Sequence, residues 1–300
     1  MPAGRVLVSG VSGPIGAALL PTLRQNGYEV VRLVRGSAGG KGQVSWDPGK
    51  PLSPEAVTGF ESVIHLAGES IVGRWTAAKK ERIRSSRLLG TQHVAEALAR
   101  APQRPRVLIS ASAIGFYGSC GDEILREESS SGQDFLSAVC REWEASTSPA
   151  SRVGIRTAQA RMGLILSKAG GALPQMLPPF RMGIGGRIGN GRQWWSWIHV
   201  DDVVGAILHI MRTDALQGPV NVVAPNPVTN AEFTKTLAQV LHRPGIFPLP
   251  ALAAKLAFGQ MANELLLASQ KVEPAKLLST GYRFLYTDLR SALEKLLGTA

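Results

Sequence analysis

The apolar positions of the first third of this chain fall into two alternating kinds of segment. Arg5 to Ser9, Tyr28 to Val34, Ser62 to Ala67 and Arg106 to Ser112 are short, almost continuously apolar runs, as expected of strands buried on both faces. Between them lie stretches of helix-forming composition: Ala17 to Asn26, with apolar Ala18, Leu19 and Leu23 and Gly27 as its stop, and Thr76 to Arg100, basic at its start. Strands alternating with helices predict a parallel sheet with helices on both sides.

Beyond Arg106 to Ser112 the pattern loosens. Val153 to Leu166 predicts one more strand, with Arg161 and Gly163 entering a loop at its end. Gly170 to Gly191, rich in Gly, Pro and Arg, is too irregular for a regular strand or helix and predicts a substrate pocket, where Arg181, Arg187 and Arg192 either grip phosphates or are solvated. Trp194, Trp195 and Trp197 predict an apolar wall or core. Asp201 or Asp202 reads as the N-cap of a helix through Met211, Asn221 to Val223 as a short returning strand, and Thr229 with Glu232 as a capping box. His199 and Asp201 resemble a metal or triad fragment only superficially. Leu252 to Leu267 reads as a pocket lid, an oligomer face that makes a homodimer, or core.

The first strand runs into Gly10, Gly13 and Gly16, spaced three apart, with Pro14 and Ile15 between the last two. One glycine serves the tight turn, one lets the backbone approach a pyrophosphate, and one lets the helix pack close on the sheet. A dinucleotide there meets free N–H groups and the positive end of the helix dipole. Arg35 stands where NAD-binding chains place the acidic residue that holds the ribose 2′-hydroxyl. Its planar fork of donors suits a 2′-phosphate, so the expected cofactor is NADP. Gly36 to Gly42 contains Gly-Gly-Lys without P-loop spacing. The fold expected is α/β: a Rossmann-type, doubly wound parallel sheet with a smaller, mainly helical C-terminal substrate region. Residues 1–167 and 197–224 would form the nucleotide-binding part, and 168–196 and 225–300 the other.

Composition narrows the partners. The chain is 44% apolar with mean hydropathy near zero, +0.05, which describes a globular protein. A net charge of +11 favours an anionic small-molecule ligand, but the basic residues are dispersed, so nucleic acid is not expected. Cys120 and Cys140 have no metal-ligand spacing, and His65 reads as a core histidine. With no leader pattern and no long apolar run, no membrane partner is expected and the protein reads as cytoplasmic.

Several stretches together carry a resemblance: His65-Leu-Ala-Gly-Glu69, Trp75 with Lys79-Lys80 and Ser86-Arg87, Ser110-Ala-Ser-Ala-Ile-Gly-Phe-Tyr117-Gly, Gly170-Gly-Ala-Leu173, Gly189-Asn-Gly-Arg-Gln193, Ser196-Trp-Ile-His-Val-Asp-Asp202 and Ser269-Gln-Lys-Val-Glu-Pro274. With them the chain resembles extended short-chain dehydrogenase/reductases of the sugar-nucleotide epimerase type, and more narrowly the SDR39U1-like epimerase family with its C-terminal extension. The resemblance implies that Gly10, Gly13, Gly16 and Arg35 bind cofactor and that Leu66, Ala67 and Gly68 line its ribose and pyrophosphate. It puts Arg87, with Arg82 nearby, either at the cofactor or on the helix surface. It implies Ser112, with Ser110 as the other candidate, as the hydroxyl that orients the reacting carbonyl or carbinol.

That superfamily moves its proton through Tyr-x-x-x-Lys, and none of the four tyrosines here is followed four residues later by lysine. In the expected segment, Asp134 to Glu144, Phe135 or Leu136 replaces the tyrosine and Val139 or Cys140 the lysine. Tyr117 and Glu69 are the substitutes to consider. Two functions follow: an atypical NADP-dependent oxidoreductase or epimerase, or a nucleotide-binding regulator or scaffold without turnover.

Overall fold

The computed structural model describes residues 4–36 and 40–298, so Gly39 of the Gly-Gly-Lys segment lies outside the described residues. Its centre is one sheet of seven parallel strands: β1 (Arg5–Ser9), β2 (Glu29–Arg35), β3 (Gln43–Trp46), β4 (Ser62–His65), β5 (Val107–Ala113), β6 (Arg156–Met162) and β7 (Gly218–Val222). They lie in the order β3-β2-β1-β4-β5-β6-β7, so the winding reverses between β1 and β4. A doubly wound sheet binds ligands outside the carboxyl ends of its strands at that reversal.

Alternation along the strands sends Val6, Val8 and Ile64 to the face covered by α1 (Pro14–Gln25), where Leu19 and Leu23 meet them. Leu7, Val63 and Leu108 point to the other face, under Val94 and Leu98 of α2 (Ala77–Arg100). Each such side chain fully buried contributes about 1.5–3 kcal/mol. The Thr76 side chain accepts the Lys79 N–H to start α2, and Asp134 accepts the Ser137 N–H to start α3 (Phe135–Ala145). Helix α1 begins at Pro14, ahead of the expected Ala17, because proline has a ready-made helical φ and no N–H to leave orphaned.

Four differences from expectation have local causes. Strand β3 was not foreseen; Gln-Val-Ser-Trp is only four residues between turn-forming segments. The strand expected over 153–166 breaks at Gly163, where a Cβ would stand 2.4 Å from the Ser196 carbonyl oxygen; Leu164–Leu166 then pairs with Trp197–His199 instead of the main sheet. Inside the supposedly irregular 170–191 lies α4 (Leu173–Arg181), whose Leu173, Leu177 and Phe180 share one buried face despite three prolines. Helix α5 (Val200–Arg212) is capped by His199, whose Nδ1 accepts the Asp201 N–H, rather than by either aspartate.

Asp202 is instead fully buried and accepts the Leu285 and Tyr286 N–H groups and the Tyr282 hydroxyl, fastening the C-terminal segment to α5. A second core gathers Trp195, Trp197 and Phe233 with leucines of α4, α6 (Asn230–Val240) and α8 (Leu289–Leu297), α7 being Ala251–Phe258. Two tryptophans are thus core. The Thr229–Glu232 capping box opens α6 as expected. No described helix is long and apolar enough to cross a membrane.

Two buried polar groups in the main layers are held by specific partners. His65, buried, shares a 2.8 Å hydrogen bond between its Nδ1 and the Ser9 hydroxyl, while its ring meets Trp46 edge-on. Arg161 lies inside β6, not in a loop toward a ligand, and is 3% exposed; its Nε and Nη2 grip both oxygens of Glu144 from α3 at 2.8 Å.

Burial lowers the His65 pKa from 6.5 to about 4, so its contribution is whole above about pH 6.5 and is lost as pH falls toward 4. Urea unfolding across that window should lose up to about 1.4 kcal/mol per pH unit from this group, and His65→Gln should flatten the slope. Glu144→Ala strands a buried guanidinium and should cost about 3–5 kcal/mol in the same assay, whereas replacing Arg161 and Glu144 together by Met and Leu should cost far less.

Candidate functional site

The site begins where β1 and β4 end side by side. The Ser9 hydroxyl accepts the Leu66 N–H at 3.1 Å, tying the two strand ends together. Gly10 turns with φ +70°, and a Cβ there would stand 2.6 Å from the Leu66 carbonyl, so the glycine loop lies backbone against backbone on Leu66 and Ala67. A Cβ on Gly16 would fall 2.5 Å from the Val11 Cα, which makes this the close-packing glycine. At Gly13 a Cβ would meet only the Gly10 oxygen, at 3.4 Å, leaving open room over the loop. Pro14 and Ile15 form the first turn of α1, whose leading N–H groups precede any intrahelical partner. Gly170 lies over the Pro14 ring, so the residues following Leu166 border the same loop.

A basic cluster stands beside this cradle. Arg35 is the last residue of β2, exposed, with no hydrogen bond or ion pair among the described residues. Glu69 is bonded by Lys79 Nζ at 2.8 Å, with Arg82 Nε at 3.9 Å. The Lys79 hydrogen bond, then the charges of Lys79, Arg82 and Arg35, holds the Glu69 carboxyl below its ordinary range. Arg87 reaches the loop after β4 from α2: Nη1 donates to the Glu69 and Ile83 carbonyls at 3.0 and 3.1 Å, and the guanidinium lies against Gly68 and 5.0 Å from the Trp143 ring. Glycine loop, Leu66 to Gly68 and the arginines 35, 82 and 87 are therefore brought to one edge of the sheet.

The expected catalytic hydroxyls are placed differently. Ser112, 3% exposed, donates to Glu144 Oε1 at 2.7 Å; Tyr117, 1% exposed, donates to Asn221 Oδ1 at 2.7 Å and accepts from Arg161 Nη1 at 3.0 Å. Burial raises the Tyr117 pKa to about 12. Both hydroxyls thus join one buried network, and the cause is register: Ser112, Arg161 and Asn221 are lateral neighbours on β5, β6 and β7, so their side chains share one face. Ser110 is fully buried on that face. Glu144 and Asn221 were not anticipated; for Asn221 the available signal was a polar residue within an apolar strand, and for Glu144, on α3, there was none.

Leu136 and Cys140, one turn apart on α3, are the pair that packs on Gly115 just past β5, at 3.5 and 3.9 Å from its Cβ position. They are one of the residue pairs in the segment where Tyr-x-x-x-Lys was expected. Phe135 turns to Trp75, and burial pushes the Cys140 thiol up to about 12, so neither position holds a group that exchanges a proton near neutrality. No group of three His, Cys, Asp or Glu side chains is placed to hold a metal among the described residues.

Comparison with known proteins agrees with this arrangement. The model of the NAD dependent epimerase/dehydratase family matches residues 6–224, and a domain of unknown function, DUF1731, matches 249–296. An epimerase family protein of Mycobacterium tuberculosis is 39% identical over 290 residues, covering 96% of both chains. The crystal structure of human epimerase family protein SDR39U1 with NADPH is similar at TM-score 0.90 and 34% identity, over 99% of this chain and 100% of that one. A nucleoside-diphosphate sugar epimerase from Corynebacterium glutamicum is 40% identical at TM-score 0.83, this chain covering 59% of its length. By fold, by the matched family model and by these relatives, the chain belongs to the NAD dependent epimerase/dehydratase family.

Proposed function

We propose that this protein binds NADP(H) at the glycine loop and is an epimerase-like oxidoreductase for a small anionic substrate bearing a carbonyl or carbinol, in the manner of a nucleotide sugar. The observation that carries the reading is the division of labour among the glycines: Gly10 and Gly16 have no room for a Cβ because protein backbone fills it, whereas Gly13 has room that only a ligand would use. Arg35, at the end of β2 and without a hydrogen-bonded or ion-pair partner among the described residues, fits a 2′-phosphate, and its charge acts on Glu69 together with those of Lys79 and Arg82. The NADPH named with the human relative supports the same choice. Leu66, Ala67 and Gly68 would border the ribose and pyrophosphate. When bound, the cofactor supplies a hydride or a hydride acceptor. The chain orients it and, with Leu136 and Cys140 packed at the end of β5, keeps exchangeable protons away from that spot. Arg187 and Arg192, exposed and without a carboxylate partner among the described residues, are available to an anionic substrate.

A second reading, a cofactor-holding regulator without turnover, is favoured by one observation: Ser112 and Tyr117 both spend their hydroxyl protons inside the protein. The two readings separate when NADPH oxidation is followed against a panel of carbonyl compounds and nucleotide sugars. Turnover supports the enzyme; tight NADPH binding with no turnover supports the regulator.

For the cofactor, Arg35→Asp should weaken NADPH at least about tenfold more than NADH in a fluorescence titration, and equal weakening would remove the 2′-phosphate assignment. Gly13→Val should leave the melting temperature near wild type while abolishing NADPH binding, whereas Gly16→Val should lower the melting temperature itself.

A further inference from the structure

Arg87 differs from the other arginines at the sheet edge. Arg35 and Arg82 are exposed, but Arg87 is half-buried and fixed on three sides: by the Glu69 and Ile83 carbonyls on Nη1, by the Trp143 ring beneath its plane, and by Gly68 against its Cζ. A Cβ at Gly68 would stand 3.5 Å from that carbon, so the guanidinium covers the loop on which the ribose side of a dinucleotide would rest. Nη1 uses its donors on the two carbonyls, and the Nε and Nη2 donors have no partner among the described residues. The Trp143 ring that Arg87 lies over belongs to α3, the helix that also carries Cys140, one of the two residues in the segment where the lysine was expected. A fixed cation with a fork of free donors therefore lies between the loop after β4 and α3.

We infer that Arg87 reads the diol of the nicotinamide-side ribose through its free Nε and Nη2 donors, a binding contact that supplies no proton relay. The inference rests on the NADP(H) reading above. A guanidinium suits this task because its planar fork meets two vicinal oxygens at once, and because it stays charged at any working pH. For the same reason it neither gives nor takes a proton there. Arg35 and Arg87 would then divide the cofactor: Arg35 recognises the phosphate on the adenine-side ribose, and Arg87 the sugar at the other end. Pinning by two backbone carbonyls and an aromatic face means that little side-chain entropy remains to be lost on binding.

Three ligands dissect this division by calorimetric titration. NADPH has both halves, 2′-phospho-ADP-ribose keeps the second ribose without the nicotinamide ring, and 2′,5′-ADP is the adenine half alone, without the ring, the second ribose or the phosphate that carries it. Arg87→Ala should weaken NADPH and 2′-phospho-ADP-ribose by about tenfold or more each and leave 2′,5′-ADP within about twofold of wild type. Arg87→Gln keeps part of the stem against Trp143 and should show the same ligand pattern, which serves if the alanine variant folds poorly. Arg87→Lys should recover part of the loss. Uniform weakening of all three ligands would make Arg87 a structural tie between α2 and the loop, and overturn the inference. So would a loss confined to NADPH, which would assign the contact to the ring, or no loss at all. Failure of the wild-type protein to bind both NADPH and 2′,5′-ADP would instead overturn the cofactor reading on which the inference stands.

Discussion

Arg161 is the charge to which the carboxyl half of the sheet is committed. A guanidinium inside a parallel strand is tolerable only if its desolvation is offset by partners of matching shape. Those partners come from every neighbouring element: both Glu144 oxygens from α3, the Tyr117 hydroxyl from the turn after β5, and the Glu127 carbonyl. Asn221 joins through Tyr117, and Glu127 returns through its side chain to the Asn221 and Lys276 N–H groups. One buried cation thus fixes where α3, the turn after β5, β7 and the start of the 275–279 helix stand relative to one another.

This commitment explains why residues with the right identity are not free for chemistry. Serine at the end of β5 and tyrosine five residues later match the pattern of a reacting site, and the period-two alternation of strands puts Ser112 on the face of Arg161, where Glu144 takes its hydroxyl. Ala111 and Met162, on the opposite face, pack into the core beneath α1 and α5. Polar atoms aligned across three adjacent strands satisfy one another before they satisfy a ligand. The hydroxyls serve to keep the Arg161–Glu144 pair fully bonded, and the pair in turn keeps the helix carrying Leu136 and Cys140 in register with β5.

What could be read from sequence follows the range of the forces involved. The strand runs, the glycine turn, α1, α2 and the Thr229–Glu232 cap are set by neighbours a few residues apart, and they were legible. The break at Gly163 depends on Ser196 crossing over it, the burial of Arg161 on a helix residue seventeen positions earlier, and the role of Asp202 on a segment eighty residues later. None of these partners is visible locally. The site divides in the same way. The glycines announced themselves by spacing and Arg35 by its place after a strand, whereas the anchoring of Arg87 required α2, α3 and the loop after β4 to be placed together.

The C-terminal region and Leu136 are physically coupled. Leu136 is buried in a cluster with Trp75, Ile83 and Met261, and its backbone N–H, at the start of α3, is accepted by Glu264 Oε2 at 2.9 Å. Gln260 bonds the other Glu264 oxygen, so the segment after α7 both covers the Leu136 side chain and satisfies the helix end beneath it. The apolar Leu136 and the C-terminal segment over α3 are therefore one packing solution: the apolar side chain fits beneath the cover, and the cover supplies the carboxylate that accepts the Leu136 N–H.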